Sequence, residues 1–523
     1  MKPAGIVRDV EENEINFVSP HKFKTGEFVT YRDRWVDPDR YVLCRITYSK
    51  SLKTFPDEFI EAAEISPKEL MQFAGMDTEE YDQHLMTALV VGYFNEKLQE
   101  FKHPRTMPDS GEIIFTAGPE VLKNISKVQA ESRGAAALGT IPGTDVPVVI
   151  SVKDIVSQHV SVIASTGSGK SYTIGVLLEE MMKPNNRAAV LVVDPHGEYS
   201  TLSAMVNRPE FRDGDYQPLV KIFRKESLKI KISELEIDDL LGILELSDKM
   251  RHYFATAVRN WRDSPHHKKS DLRREIEVQR DPNNESSIDA ILWRFDAVIM
   301  RRNSIFEDHL HTPLGELFTP GQLTILDLSG IGESDQQLIV SVLLRRLFDA
   351  REGTVNQRFA EGEERFLPYP VFVVLEEAHR YAPQNGEAKS KRVLKTILSE
   401  GRKFGIGVCM ISQRPAKLDS DSLSQCMSQI TMRMINPVDQ SQIASSIESM
   451  SRELLDELPA LAKGEAIVSG VAINTPVLVK IRERTTPHGG VSRDAPEEWS
   501  SYWKKARVTK ATPAILTREF KPF

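Results

Sequence analysis

The chain has 523 residues, 40% of them hydrophobic and 27% charged, with a formal net charge of -8. That is enough material for two to four domains with large cores. No apolar run approaches the roughly 18 residues that span a bilayer, and three cysteines with no CxxC pair exclude a disulfide framework and fit a reducing cytosol.

In chain order, residues 1 to about 50 predict short strands ("GIVRDV", "INFVS", "EFVTYRD", "YVLCRITYS") that suit a small barrel. The start, "MKPAGIVRDVEENE", lacks an apolar stretch, so no secretory signal is expected. Helical spacing is read near 55–100, in "DEFIEAAEISPKELMQFAG" and "EEYDQHLMTALVVGYF", as an insertion in an N-terminal domain of residues 1–120. "GEIIFTAG" returns to strand, and "GAAALGTIPGTDVPVVIS" reads as a connection punctuated by glycine and proline.

The stretch "VSVIASTGSGKSYTIGVLLEEM", residues 160–181, is a buried strand, a run of small residues and a helix. Small residues let the backbone curl tightly with several N–H groups inward, and the helix behind adds free N–H groups and partial positive charge. The pattern is Ala164-x-x-x-x-Gly169-Lys170-Ser171, with alanine where the strict phosphate-loop pattern has glycine. Ser165, Thr166, Gly167, Ser168, Gly169, Lys170, Ser171 and Tyr172 are therefore the expected nucleotide-binding residues. Backbone N–H groups from Thr166 to Ser171 would hold the β-phosphate, Lys170 would bridge β and γ, and Ser171 would ligate Mg²⁺.

Beyond it, "AAVLVVDPHGEYS" ends a buried strand in Asp194 and Glu198, expected beside the γ-phosphate. Residues 216–319 read as a helical subdomain inserted in the core, followed by the strand "QLTILDLSG". "YPVFVVLEEAH" places Glu376 and Glu377 at a strand end, where open α/β sheets bind ligands. One carboxylate can support Mg²⁺ through water, Glu376 being the metal candidate, while its neighbour polarises the attacking water. Gln413, ending "GVCMISQ", can sense the γ-phosphate, and Arg402 in "SEGRKFGIG" is the candidate transition-state cation. "GEAIVSGVAINTPVLVKIRER" predicts an antiparallel hairpin, and residues 486–523 a tail. The alternation of strands and helices over 135–215 and 320–485 predicts an α/β core with a mostly parallel sheet.

The ordered set "ASTGSGKS", "DPHGEYS", "LTILDLSG", "VFVVLEEAHRYAP", "SEGRKFGIG" and "SQRP", behind a small barrel, resembles the HerA family of the HerA/FtsK ATPases. The resemblance implies a RecA-like P-loop NTPase core, ATP bound between subunits of a homohexameric ring, and double-stranded DNA in a central channel. It implies Glu377 as the catalytic glutamate, Arg402 as an arginine acting in trans and Gln413 as the sensor. Many relatives carry an arginine before the histidine that begins the cradle strand, whereas this chain has Gln158-His159. Six copies of one basic loop could line a channel of an otherwise acidic protein, and "NGEAKSKRVLK", with Lys389, Lys391 and Arg392, is the candidate. The expected function is an ATP-driven DNA translocase or helicase in DNA-end processing or anti-phage defence. Its partner would be a separate effector chain on the barrel: a NurA-type nuclease, another nuclease or a sirtuin-like NADase. The alternative is a nucleotide-gated scaffold that assembles such an effector.

Overall fold

A computed structural model describes residues 1–34, 40–52, 83–244, 246–265, 267–300, 305–447, 451–489 and 494–510. The N-terminal strands are β1 (Pro3–Glu11), β2 (Glu14–Ser19), β3 (Phe28–Arg32), β4 (Tyr41–Ser51), β5 (His84–Asn95), β6 (Glu100–Lys102) and β7 (Ile113–Thr116). They pair in the order β2-β1-β7-β3-β4-β5-β6, and the antiparallel pairing of β2 with β5 closes six of them into a barrel. Closure removes the free edges that an open sheet of this size would expose. Ile15, Phe17, Val29, Cys44 and Met86 fill its interior.

Residues 84–95 correct the expectation of a helix. The apolar run "LMTALVVGYF" is a strand whose buried residues fall at every second position, Met86, Ala88 and Val90. Its long pairing with β4 overrides a pattern that also suits helical spacing. The remainder of the expected helical insertion, residues 53–82, lies outside the described residues.

The rest of the chain builds one eleven-stranded sheet and a helical layer. Its strands are β8 (Ala135–Thr140), β9 (Pro147–Ser151), β10 (Val160–Ile163), β11 (Ala189–Asp194), β12 (Leu219–Phe223), β15 (Gln322–Asp327), β16 (Val371–Leu375), β17 (Ile406–Ser412), β18 (Ser428–Met432), β19 (Glu465–Gly470) and β20 (Val477–Ile481). Two-residue strands β13 (Ile230–Lys231) and β14 (Phe306–Glu307) pair separately. The order is β12-β15-β11-β16-β17-β10-β18-β19-β20-β8-β9, parallel from β12 to β18 and antiparallel beyond. The stretch read as a connection, "GAAALGTIPGTDVPVVIS", is thus the β8–β9 hairpin at the sheet edge. Gly139 permits this: a Cβ there would lie 1.9 Å from the Lys480 carbonyl oxygen of β20.

The parallel strands are apolar at nearly every position because both faces are covered. In β11, Leu191 and Val193 join the core beneath the helices Glu333–Val355 and Lys391–Phe404, while Val190 and Val192 join the core beneath the helix Lys170–Met182. Helices Ile237–Leu244, Asp248–Asp263, Lys269–Val278 and Glu285–Phe295 extend the first of these cores, anchored by Phe254, Trp261 and Phe295, each fully buried.

After β20 the chain folds back onto the helix Lys170–Met182 through one carboxylate. Glu179, fully buried, accepts from the Thr486 backbone N–H at 2.8 Å, the Thr486 hydroxyl at 2.7 Å and Arg482 Nη1 at 2.9 Å. Glu179→Ala leaves the Thr486 N–H and hydroxyl without their acceptor and leaves Arg482 with Glu180 as its one carboxylate partner, an expected loss of about 1–3 kcal/mol. Thermal melting and faster proteolysis within 482–489 would check it; an unchanged melt would refute the anchoring role.

Candidate functional site

Parallel pairing of β11, β16, β17 and β10 puts their C-terminal ends on one edge. The phosphate cradle follows β10, Glu376 and Glu377 follow β16, Gln413 follows β17, and Asp194 ends β11. Ser165 N–H donates to the Arg433 carbonyl at 3.1 Å, and the Ser168 hydroxyl donates to the Ser165 carbonyl at 2.7 Å. These bonds fix the loop. Gly167 and Gly169 take φ of 81° and 106°, which favour glycine. A Cβ on Gly167 would meet nothing within 4 Å, so the loop opens outward. Behind it runs the 13-residue helix Lys170–Met182, whose first N–H groups have no partner within the helix.

The Lys170 ammonium, 6% exposed, donates to Glu376 Oε1 and, at 3.1 Å, to Glu377 Oε1. Burial opposes its charge, but the two carboxylates outweigh this and raise its pKa. Burial pushes Glu376 above the usual carboxylate range, against the pull of Lys170. Glu377 goes the other way: burial would raise it, yet Lys170 and then His379 hold it below that range. The pair is therefore split into one carboxyl that gains a proton more readily and one that stays ionised, which is the state a proton acceptor needs.

Gln413 Nε2 donates to Glu377 Oε1 at 2.6 Å, and Gln413 Oε1 accepts from the Thr166 hydroxyl at 2.7 Å. The amide thus spans the cradle and the glutamate. The Ser171 hydroxyl donates to Glu198 Oε2 at 2.5 Å, so Glu198 also reaches the cradle. These residues fit the phosphates of a nucleotide: an open small-residue loop, a buried ammonium now held by oxyanions, and a hydroxyl at the helix start. Thr166 to Ser171 and Lys170 would hold the triphosphate, and Ser171 would ligate Mg²⁺. Among the described residues no group of three or more His, Cys, Asp or Glu is placed to hold a metal; Mg²⁺ characteristically relies on phosphate oxygens and water in such sites.

Other expected residues lie differently. Asp194 is fully buried, and its carboxylate accepts from the backbone N–H groups of His196, Gly197 and Tyr199 at 3.1, 2.8 and 3.0 Å. It shapes the turn that carries Glu198 rather than facing the cradle with a free oxygen. Tyr172 turns to the returning segment: its hydroxyl accepts from Arg484 N–H at 2.7 Å and its ring meets His488 edge-on at 5.7 Å. Arg402 is exposed in the last turn of the helix Lys391–Phe404, just before β17 begins, and so lies at the sheet edge away from its own cradle.

The expected basic loop is partly helical, since Lys391 and Arg392 open the helix Lys391–Phe404. Lys391 is ion-paired with Asp419 at 3.0 Å, and Lys389 donates to the Ser334 hydroxyl at 2.9 Å. Arg392 is exposed.

Two contributors escape a sequence reading. Tyr199, 1% exposed, donates to Glu376 Oε2 at 3.1 Å. His379 Nδ1 lies 3.3 Å from Glu377 Oε2 and 3.3 Å from the Ser412 hydroxyl, joining the ends of β16 and β17. Both lie within quoted motifs, His379 two residues after Glu377 and Tyr199 directly after Glu198, but nothing local marks the contacts they make. Glu377 itself holds φ 53°, left-handed backbone that a non-glycine residue rarely adopts.

The family model described as helicase HerA, central domain, matches residues 136–347. A probable helicase of Methanocaldococcus jannaschii is 30% identical over 413 residues, 76% of this chain and 76% of that protein. The DNA double-strand break repair helicase HerA of Pyrococcus furiosus is 28% identical over 515 residues, 87% of each. Among solved structures, VirB4 of Thermoanaerobacter pseudethanolicus matches with TM-score 0.48 and 12% identity, over 68% of this chain and 98% of that one. A cradle, paired glutamates and a bridging amide on one sheet edge, in a chain this similar to those helicases, have one reading: the chain belongs to the HerA family and is a P-loop ATPase.

Proposed function

We propose that this chain is an ATP-driven DNA translocase that works as a homohexameric ring around double-stranded DNA. The observation that carries it is the convergence of Lys170, Glu377 and Gln413 at the cradle of a HerA-family chain. In this reading the nucleotide sits between subunits, and its bound phosphates draw Lys170 off the carboxylates. The ionised Glu377 then orients and deprotonates the attacking water. Arg402 lies too far along the sheet to serve its own cradle, so it acts on a neighbour's. DNA-end processing suits relatives named as double-strand break repair helicases.

A separate effector chain, a nuclease or an NAD-hydrolysing enzyme, would use the barrel as its docking face, in DNA repair or in defence against foreign DNA. Lys389, Lys391 and Arg392 stay candidates for the channel, with Arg392 the most available. Among the described residues no helix is long and apolar enough to cross a membrane.

The test is ATP hydrolysis with and without duplex DNA, together with particle imaging of the purified chain. Strong stimulation by DNA and a six-fold ring with density in the channel are expected. Hydrolysis indifferent to DNA would favour a nucleotide-gated scaffold.

A further inference from the structure

A cleft of about 650 Å³ borders Glu377, and Lys170 is not among the residues that line it. Its walls carry Arg380, Arg414 and Lys417, with His196, His379 and the carboxylates of Glu333 and Glu377. Among the described residues no carboxylate forms an ion pair with any of these three cations. The only side-chain partner of Arg380 there is the neutral amide of Gln336, at 3.4 Å. Arg414 and Lys417 are exposed. Elsewhere the protein neutralises comparable cations: Lys391 and Lys395 share Asp419, Arg482 is held by Glu179 and Glu180, and Arg345 by Asp239. On an acidic chain, three unneutralised cations gathered in one concavity mark a place for an anion.

Where they are attached matters more. Arg380 follows Glu377 by three residues, within the turn that ends β16, and its backbone N–H donates to the Glu377 carbonyl at 2.8 Å. Arg414 is the residue after Gln413, and its N–H donates to the Ser412 hydroxyl that also meets His379. The ends of β16 and β17, which deliver Glu377 and Gln413 to the nucleotide site, therefore also deliver cations to the cleft.

We infer that this cleft binds backbone phosphates of the nucleic acid, through Arg380, Arg414 and Lys417, and that a phosphate seated there acts directly on the positions of Glu377 and Gln413. The inference rests on the translocase reading and names the contacts that reading lacks. It adds a second set of phosphate contacts to the loop at 389–392, where Lys391 is already paired with Asp419. Coupling needs no long path, because cation and catalytic group share one short turn.

The test uses the full chain with Arg414→Gln and Lys417→Gln, singly and together, and Arg392→Gln for comparison. Arg414, Lys417 and Arg392 are exposed, so thermal melts close to wild type are expected. Binding of a fluorescent 30-base-pair duplex is measured across a salt series, with the ratio of DNA-stimulated to basal hydrolysis. Each lost phosphate contact should flatten the slope of log affinity against log salt by about 0.9. The double variant should thus lose nearly 2 in slope and most of its stimulation ratio, with Arg392→Gln changing less. If wild type itself neither binds nor responds to DNA, the translocase reading fails. If wild type responds and the double variant keeps its slope and ratio, the cleft is not a phosphate grip. Unchanged DNA behaviour with weakened inhibition by inorganic phosphate would make the cleft a product site and would equally overturn the inference.

Discussion

Glu377→Gln should reduce ATP turnover by about 10²–10⁴-fold while nucleotide still binds, the range expected when a proton acceptor is lost. The amide keeps the size of the side chain, and its oxygen can still accept from Gln413 Nε2, now at 2.6 Å. What disappears is the ionised carboxylate that Lys170 and His379 maintain. Filter binding of labelled ATP and a phosphate-release assay separate the two effects. Mixing these subunits with Arg402→Ala subunits should restore part of the turnover, because a ring would then contain some sites with an intact glutamate and an intact arginine. No recovery in confirmed mixed rings would refute a site shared between neighbours; undiminished turnover by Glu377→Gln alone would remove the residue from catalysis.

Lys170→Ala should abolish turnover and also weaken the fold, and the second effect has a distinctive pH dependence. The substitution leaves Glu376 and Glu377 buried without their common cation, an expected cost of about 3–5 kcal/mol. Glu376 is already raised by burial with the lysine present, and without it rises further. A carboxyl whose folded pKa lies above its unfolded one stabilises the fold at low pH and loses that contribution as pH climbs through the folded value. The deficit of the variant relative to wild type should therefore widen from acidic to neutral pH. Adding Glu376→Gln should narrow it again, since the amide removes a charge that has lost its partner. Thermal melts at several pH values decide this. A pH-independent deficit, unmoved by the second substitution, would mean the clasp contributes no electrostatic stabilisation.

Much of this was legible in the sequence because local chemistry carried it. The small residues of the cradle, the acidic pair after "VFVVL" and the amide after "VCMIS" each announce themselves within ten residues, and the strand patterns around them place them on one edge. The misreadings have equally physical causes. In β5 every residue from Leu85 to Val91 except Thr87 is apolar or small, so the alternation that Met86, Ala88 and Val90 obey is invisible until pairing with β4 and β2 closes the barrel and turns one face inward. The β8–β9 hairpin looked like a connection because the strand it joins lies far along the chain. Lys391 stays a candidate, but its ion pair with Asp419 is invisible locally because Asp419 belongs to another turn. Arg482 and Glu179 are likewise remote in sequence, and nothing near either marks the pair.

The antiparallel flank of the large sheet sets an order on synthesis. Gly139 of β8 must wait for Ile481 of β20, whereas every partner of the barrel strands lies between Pro3 and Thr116. During translation the barrel can close as soon as β7 leaves the ribosome, while the β8–β9 hairpin, made next, waits for its partner until Ile481 has emerged. A stalled or prematurely ended product would thus display a finished barrel attached to an apolar hairpin with nothing to pair with. The cell would meet it as a chaperone client rather than as a smaller working enzyme.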